Sequence, residues 1–511
     1  MKNNEKIVEL DELAKIVSKL KSKGKKVVHC HGVFDLLHVG HIRHFEAAKK
    51  FGDILVVTLT QDKYVKKGPH RPAFTEKLRA EAIAALGCVD YVAINKWPTA
   101  EETIELLKPD FYAKGLEYSK FSDDYTKGII TEKDTIEKFG GKIIFTDEIT
   151  FSSSALINRY LHVFPKNVED FLLDFSKKHL SEDIINYLEK IYDLRILIIG
   201  EAIIDEYVYG FPIGKAGKES IIALKYLKTE KFAGGTLATA NHLANFSNNV
   251  DLFTLLGDKD SQEDFINGHL NKKVNRLFHY KKDAPTIVKR RFLTSNPLTN
   301  QLTKLLEYYI INDNEIDKEQ SKELQAHLKE ILPDYDHILV IDYGHGMFTK
   351  EIINLITEKS KFLAVNTQTN AGNMGFNTVS KYQKADYICI DEPEIRFDTR
   401  EKFACVEDLI ISVTKKLSCK KMILTRGTEG CMVYSHNNFI SIPAFSEKVV
   451  DTMGAGDAFI SITSPLVANK VPMEIVGFVG NAVGALKCMS VGNREPIDKP
   501  TLYKYITSLM K

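Results

Sequence analysis

Short β-branched runs alternate along the chain with segments whose apolar positions recur at helical spacing. Ile7, Leu10, Leu13, Ile16, Val17 and Leu20 predict an amphipathic helix over 7–22, and the run at 26–30 predicts a strand. A helix over 40–51, a strand from Ile54 to Thr60, a helix over 76–86 and a strand from Tyr91 to Ile94 follow. Thr99 and Glu102 have capping-box spacing at the head of the next helix. Strands at Phe111–Ala113 and Lys142–Phe145 complete a unit ending near residue 160. Strands separated by helices at this pitch predict an α/β fold, a parallel sheet with helices on both faces. Residues 161–193 are helical and charged and read as a linker. A second α/β unit, 194–511, opens on the strand Arg195–Gly200 and then alternates in strand fashion over 207–232. A helix over 237–247 follows, with strands at Val250–Leu255, His337–Ile341, Phe362–Val365, Tyr387–Ile390 and Met422–Leu424. A strand-like segment, Glu447–Val450, precedes a helix opened by Gly454-Ala455-Gly456-Asp457.

At 511 residues the chain is too long for one core, which agrees with two domains. A net charge of +1 gives no global pull toward nucleic acid or an acidic membrane, so neither is expected as a partner. The seven cysteines are scattered and never in CxxC spacing, which points to a reducing compartment rather than to disulfides or zinc. The N-terminus lacks an apolar signal core and no apolar run reaches spanning length, so a cytoplasmic protein is expected.

Chemistry concentrates first at His31-Gly32-Val33-Phe34-Asp35-Leu36-Leu37-His38-Val39-Gly40-His41, between a strand and a helix. Gly32 and Gly40 let the backbone bend closely, and His38 and His41 share one face of the first helical turn. A helix N-terminus with two imidazoles suits phosphate oxygens. Lys66 and Lys67 leave the end of the next strand, the edge where open α/β sheets bind ligands. Ser152-Ser153-Ser154 precedes a short helix and could seat phosphate. Together these residues resemble the cytidylyltransferase-like nucleotidyltransferase family, with HGVFDLLHVGH at its HxGH signature and FSSS at its Ser/Thr-rich motif. The resemblance implies a Rossmann-like domain in which His38 and His41 contact nucleotide phosphates, with Gly32, Phe34, Asp35, Gly40 and Ser152–Ser154 around them. Lys66 or Lys67 would bridge the reacting phosphates. The nucleophile would be the substrate's own phosphate, and Mg²⁺ would be bound largely through the triphosphate. Lys114-Gly115-x-x-Tyr118 resembles a segment of the adenylyltransferase half of bifunctional heptose-phosphate enzymes, which makes Lys114 a substrate-binding candidate. His31 and Cys30 stand where that family has Asn and Thr, which opens the choice between ATP and CTP.

The second concentration is Asp451-Thr452-Met453-Gly454-Ala455-Gly456-Asp457. Backbone N–H groups of Gly454, Ala455 and Gly456 can converge on an anion at the helix start, and Asp457 can take a proton from a substrate hydroxyl. The motif resembles the signature of ribokinase-like sugar kinases. That resemblance makes Asp205 a holder of sugar hydroxyls, adds Gly234, Gly235 and Asn241 to the sugar site, and places Thr425 and Gly427 at the nucleotide. It makes 207–232 a small β lid of the kind through which two copies dimerise. Asp391 and Glu394 replace the family's Asn-x-x-Glu, tied to Mg²⁺, with Asp-x-x-Glu. The stretch Asn366–Asn377 is rich in amides, abundant donors for a phosphate or sugar.

The combined resemblance is to bifunctional heptose 7-phosphate kinase/heptose 1-phosphate adenylyltransferases, with the domains in reversed order. It implies two successive transferases that consume ATP and a nucleoside triphosphate and make a sugar nucleotide for surface glycans. Rival readings are a CTP-dependent enzyme for another sugar or polyol phosphate, and a transferase whose kinase-like domain is a non-catalytic sensor or dimerisation scaffold.

Overall fold

A computed structural model describes residues 5–65, 71–116, 128–146, 164–295, 302–446 and 449–511. The chain divides into two compact units, 1–176 with 499–511 and 177–498. The helices of the 161–193 segment are therefore shared between them, Lys166–Lys178 falling mostly in the first and Ser181–Glu189 in the second.

The first unit holds a five-stranded parallel sheet of β1 (Val27–Gly32), β2 (Ile54–Leu59), β3 (Tyr91–Ile94), β4 (Phe111–Gly115) and β5 (Lys142–Thr146), in the order β3-β2-β1-β4-β5. The order reverses beside β1, which carries His29 and His31 and runs into the helix Val39–Lys49. Ligands of open α/β sheets bind at such a switch point. Val28, Cys30, Leu55, Val57 and Val92 are fully buried under that helix and Glu76–Ala84. The first helix spans Leu10–Ser22 rather than 7–22, because Ile7 makes a parallel bridge to Val92. Thr99 does not cap the helix Glu101–Leu107; its hydroxyl donates to the Glu102 carboxylate at 3.2 Å, leaving the helix to start from Ala100.

The second unit is built on one long strand, β6 (Arg195–Lys215). Its first third pairs in parallel with β8 (Asn249–Gly257) and β12 (His337–Asp342). From Ala202 it changes partners, to antiparallel β7 (Ile222–Gly235) and parallel β10 (Ile287–Ser295). The core sheet continues from β12 through β13 (Leu363–Thr367), β14 (Tyr387–Asp391) and β15 (Lys421–Thr425) to antiparallel β16 (Cys431–Ser435) and β17 (Asn438–Ile442), and β9 (Val274–Lys281) flanks β8. The β6–β7 hairpin is the strand alternation expected over 207–232. It is joined by β10 and β11 (Leu302–Ile310) into a four-stranded lid sheet that the hydrophobic pattern did not announce. Val449 and Val450 are not a strand; the chain reaches the helix Ala455–Ala468 through an irregular turn.

Candidate functional sites

In the first unit, His38 ends the loop after β1 and caps the helix Val39–Lys49, its Nδ1 accepting from Gly40 N at 3.1 Å. An accepting Nδ1 places the proton of the neutral ring on Nε2, and burial holds the His38 pKa below its usual value. His41 stacks on His38, ring centroids 3.9 Å apart at 19°. Phe34 backs the pair, edge-on to His41 at 5.3 Å and to Phe45 at 4.9 Å. Phe34 and Leu36 both adopt positive φ, 50° and 55°, a strain that a scaffold accepts where a loop must hold a fixed shape. A Cβ at Gly32 would stand 3.0 Å from the Phe34 ring, so the ring packs directly against the glycine backbone.

Asp35 is buried, and its Oδ1 accepts from Ala73 N at 2.8 Å and Phe74 N at 3.4 Å. Arg79, fully buried, donates to Phe74 O at 3.0 Å, Thr60 O at 2.9 Å and the Asp62 carboxylate at 2.6 Å, and also to Val33 O. Phe34, Asp35 and Arg79 thus hold the loop in shape. Behind the loop, His29 Nε2 and His31 Nδ1 share the Thr58 hydroxyl at 2.7 and 2.8 Å, and His31 Nε2 meets the Thr60 hydroxyl at 3.2 Å. Lys114 Nζ pairs with Glu132 at 2.8 Å. Burial, reinforced by that cation, keeps His31 neutral and lowers His29 to about 3 and His44 to about 4. Lys66, Lys67, Tyr118 and Ser152–Ser154 lie outside the described residues.

In the second unit, Asp457 lies in the first turn of the helix Ala455–Ala468 and is 7% exposed. Its Oδ1 accepts from Tyr343 Oη at 2.8 Å and Gln368 Nε2 at 2.7 Å. Burial is the leading cause of a pKa raised to about 6, opposed by those two hydrogen bonds. Asp205 on β6 accepts from Arg291 Nη1 at 2.5 Å and Asn493 Nδ2 at 3.3 Å. A Cβ on Gly234 would overlap Asp205 Oδ2, and one on Gly454 would overlap Asn493 Oδ1. Asp205, Gly234, Gly454 and Asp457 are therefore one cluster, with Asn493 linking the two carboxylate arms. Gly235, at φ 57°, turns β7 into the helix Thr236–Leu243. Gly454 is at φ 75°; left-handed backbone costs an L-residue roughly 1–2 kcal/mol. Gly454→Ala is expected to lower the melting temperature by a few degrees and the kinase rate with it, both measurable on the full chain.

Thr425 on β15 sits in register with Asp391 on β14, at the carboxyl ends of parallel strands, and Gly427 makes the following turn at φ 56°. Asp391 caps the helix Glu392–Thr399 in a capping box: Oδ1 accepts from Glu394 N at 2.8 Å, and Glu394 Oε2 accepts from Asp391 N at 2.8 Å. Glu394 Oε1 takes Thr369 N at 3.0 Å. Burial raises both pKa values, Glu394 the more. Among the described residues no group of three or more His, Cys, Asp or Glu is set to hold a metal ion. Three of the four carboxylate oxygens of Asp391 and Glu394 thus accept backbone N–H donors. The Asn241 amide donates to His269 O at 2.9 Å and accepts from Asn271 N at 2.8 Å, and Asn241 lines one cleft with Phe232 and Asn493.

The amide-rich stretch also has a structural account. Asn370 and Asn373 donate to Tyr343 O at 2.8 and 2.9 Å, Asn377 donates to Asp342 O at 2.8 Å, and Asn366 donates to Cys389 O at 2.7 Å. The amides pin the loop to the end of β12 and leave Gln368 to reach Asp457. Gln368 comes from the amide-rich stretch marked in the sequence, whereas Tyr343, at the end of β12, has no local motif.

Comparison with known proteins follows the same division. Residues 194–500 match the family model described as pfkB family carbohydrate kinase, and residues 29–159 match the one described as cytidylyltransferase-like. The bifunctional protein HldE of Geobacter metallireducens is 40% identical over 165 residues, 31% of this chain and 32% of that one. HldE of Geotalea uraniireducens is 43% identical over 140 residues, 27% of each chain. The alignments thus span about a third of the relatives' length or less. Escherichia coli phosphofructokinase-2, in its complex with potassium, shares the fold with a TM-score of 0.50 at 14% identity, over 62% of this chain and 100% of that one. Its complex with substrates and products has the same TM-score, identity and coverage. With its kinase match covering residues 194–500, the chain belongs to the pfkB family of carbohydrate kinases.

Proposed function

We propose that the second unit phosphorylates a sugar phosphate of the heptose 7-phosphate type with ATP. We propose that, after a separate phosphatase has hydrolysed the first phosphate from the resulting bisphosphate, the first unit transfers a nucleotidyl group, AMP, from a nucleoside triphosphate to the sugar 1-phosphate, releasing pyrophosphate. The observation that carries the kinase half is Asp457: a buried carboxylate in the first turn of its helix, oriented by Tyr343 and Gln368. Asp205 holds sugar hydroxyls, Asp457 takes the proton of the attacking one, and the N–H groups from Gly454 to Gly456 cradle the phosphoryl group. Mg²⁺ supplies charge neutralisation on the triphosphate when bound. In the first unit His38 offers its Nε2–H and His41 stacks beside it, a donor pair for the phosphates between which pyrophosphate leaves.

Asp391 keeps the local structure an Asn would give, so the replacement leaves the helix start intact. Asp and Asn are equally good at an N-cap, and Asp391 makes the capping bond that an Asn oxygen would make. Because Asp457 titrates near 6, its deprotonated, proton-accepting form is lost as pH falls. Phosphorylation should therefore decline below about pH 6 while pyrophosphate release keeps a separate profile, checked by following each product from pH 5 to 8.

The lid leaves Ile213, Ile222, Tyr226 and Leu306 each more than half exposed. An apolar face of this kind favours burial against a second copy, and we read it as a homodimer contact. Leu306→Glu should shift the sedimentation of the full chain toward monomer; unchanged sedimentation of a dimeric parent would place the contact elsewhere. All seven cysteines are free, in keeping with a cytoplasmic setting, and no helix among the described residues is long and apolar enough to cross a membrane.

A further inference from the structure

One carboxylate ties the lid sheet to two loops of the kinase site. Asp451 is 5% exposed, and both of its oxygens are engaged. Oδ1 accepts from Lys304 Nζ at 2.8 Å and Met453 N at 3.2 Å, and Oδ2 accepts from Tyr207 Oη at 2.7 Å and Gly492 N at 2.9 Å. Two of these donors, Lys304 on β11 and Tyr207 on β6, belong to the lid. The other two stand immediately before Gly454 and Asn493 in the chain. Burial opposes a charge on Asp451, yet the bonds from Lys304 and Tyr207 hold its carboxyl below its usual pKa.

The residue after Asn493 makes a second tie. Arg494 donates to both carboxylate oxygens of Glu230 on β7, at 2.9 and 2.8 Å, and its guanidinium lies 6.0 Å over the Phe232 ring. Apolar surface joins the same partners. Tyr207, Phe232 and Leu293 of the lid form a buried cluster, against which Leu302, Met453 and Val491 pack. Asn493, bracketed in sequence by Gly492 and Arg494, in turn reaches Asp205 at 3.3 Å and abuts Gly454. The contacts therefore run unbroken from lid strand to loop to the groups around the sugar carboxylate.

We propose that Lys304 and Arg494 are positioning residues that couple the lid to the kinase site: with both ties made, Asn493 and the N–H groups from Gly454 to Gly456 are held in place beside Asp205 and Asp457. This deepens the proposed kinase reading and rests on it. Neither side chain is asked to bind sugar or nucleotide; Lys304 acts through Asp451, and Arg494 through Glu230. A lid that lifts takes Lys304 and Tyr207 with it and leaves Asp451 buried with half its donors, a costly state that the two loops relieve only by moving. The anion cradle is therefore complete only while the lid is down.

The test is amide hydrogen exchange of the full chain, read alongside ADP formation with heptose 7-phosphate, in the parent, Lys304→Met, Lys304→Arg and Arg494→Met. Lys304→Met should speed exchange at β11 and also at 451–454 and 490–494, and should lower kcat about tenfold, the scale of one hydrogen bond to a charged group. Lys304→Arg should restore most of both. Arg494→Met should lower kcat about two- to fivefold, as fits a partly exposed pair. Retained pyrophosphate release and melting temperature certify that the variants fold. Exchange that rises at β11 alone makes Lys304 a support of its own strand and overturns the inference, as does a Lys304→Met chain that forms ADP at the parent's rate. If the parent never forms ADP, the kinase reading falls and exchange alone decides the coupling: loops that loosen together with β11 uphold it, and loops that do not refute it.

Discussion

Asp457→Asn should lower sugar phosphorylation by about two to four orders of magnitude, the usual consequence of losing a general base. The substitution keeps the shape of the side chain, and an amide oxygen can still accept from Tyr343 and Gln368 at Oδ1. What it removes is the capacity to take the hydroxyl proton. The affinity for ATP should change little, because the N–H groups at Gly454–Gly456 are untouched. Pyrophosphate release from a pre-made sugar 1-phosphate should also be unchanged. ADP formation by parent and variant across sugar phosphates, heptose 7-phosphate included, measures the effect; equal and substantial turnover by both would take Asp457 out of the chemistry.

His41→Ala should lower nucleotidyl transfer by about a hundredfold or more, the scale of losing one preorganised donor at a developing charge. The structure adds a second route to the same loss. His41 stacks on His38 at 3.9 Å and is packed by Phe34, so its removal also frees the ring that carries the Nε2–H. His38→Ala should then cost more helix stability than His41→Ala, because only His38 caps the helix. Phosphorylation should survive in both variants. Near-normal pyrophosphate release from His41→Ala would overturn the assignment.

The parts of this protein that were legible in the sequence are those whose chemistry is local. Val27–Gly32 and Ile54–Leu59 read as strands because parallel strands buried on both faces are continuous apolar runs. The HxGH and GAGD segments were legible because a strand–loop–helix turn concentrates their residues. Strands β10 and β11 were not, since Lys289, Arg290, Arg291, Lys304 and Glu307 break any apolar pattern. Arg290 and Arg291 are compensated by Glu206 and Asp205 on β6 and Lys304 by Asp451, positions far away in sequence, and Glu307 by Arg291 on the neighbouring strand. Tyr343 shares that origin: it is unremarkable where it stands and meets Asp457 from 114 residues away. The helix that carries Asn241 was expected, but the turn at His269 and Asn271 that takes up its amide has no signature near residue 241. The run Asn366–Asn377 offered many donors, yet its amides tie the chain to its own backbone, a use that composition does not distinguish from ligand binding.

The central claim is that one chain carries two transferases whose active groups are separate. Its most direct test is to supply the purified full chain with ATP, Mg²⁺ and either heptose 7-phosphate or heptose 1-phosphate, and to record ADP and pyrophosphate independently in the parent, Asp457→Asn and His41→Ala. The account predicts a crossed result: both products from the parent, pyrophosphate without ADP from Asp457→Asn, and ADP without pyrophosphate from His41→Ala. A parent that never forms ADP, or a single substitution that removes both products from a folded chain, would contradict it.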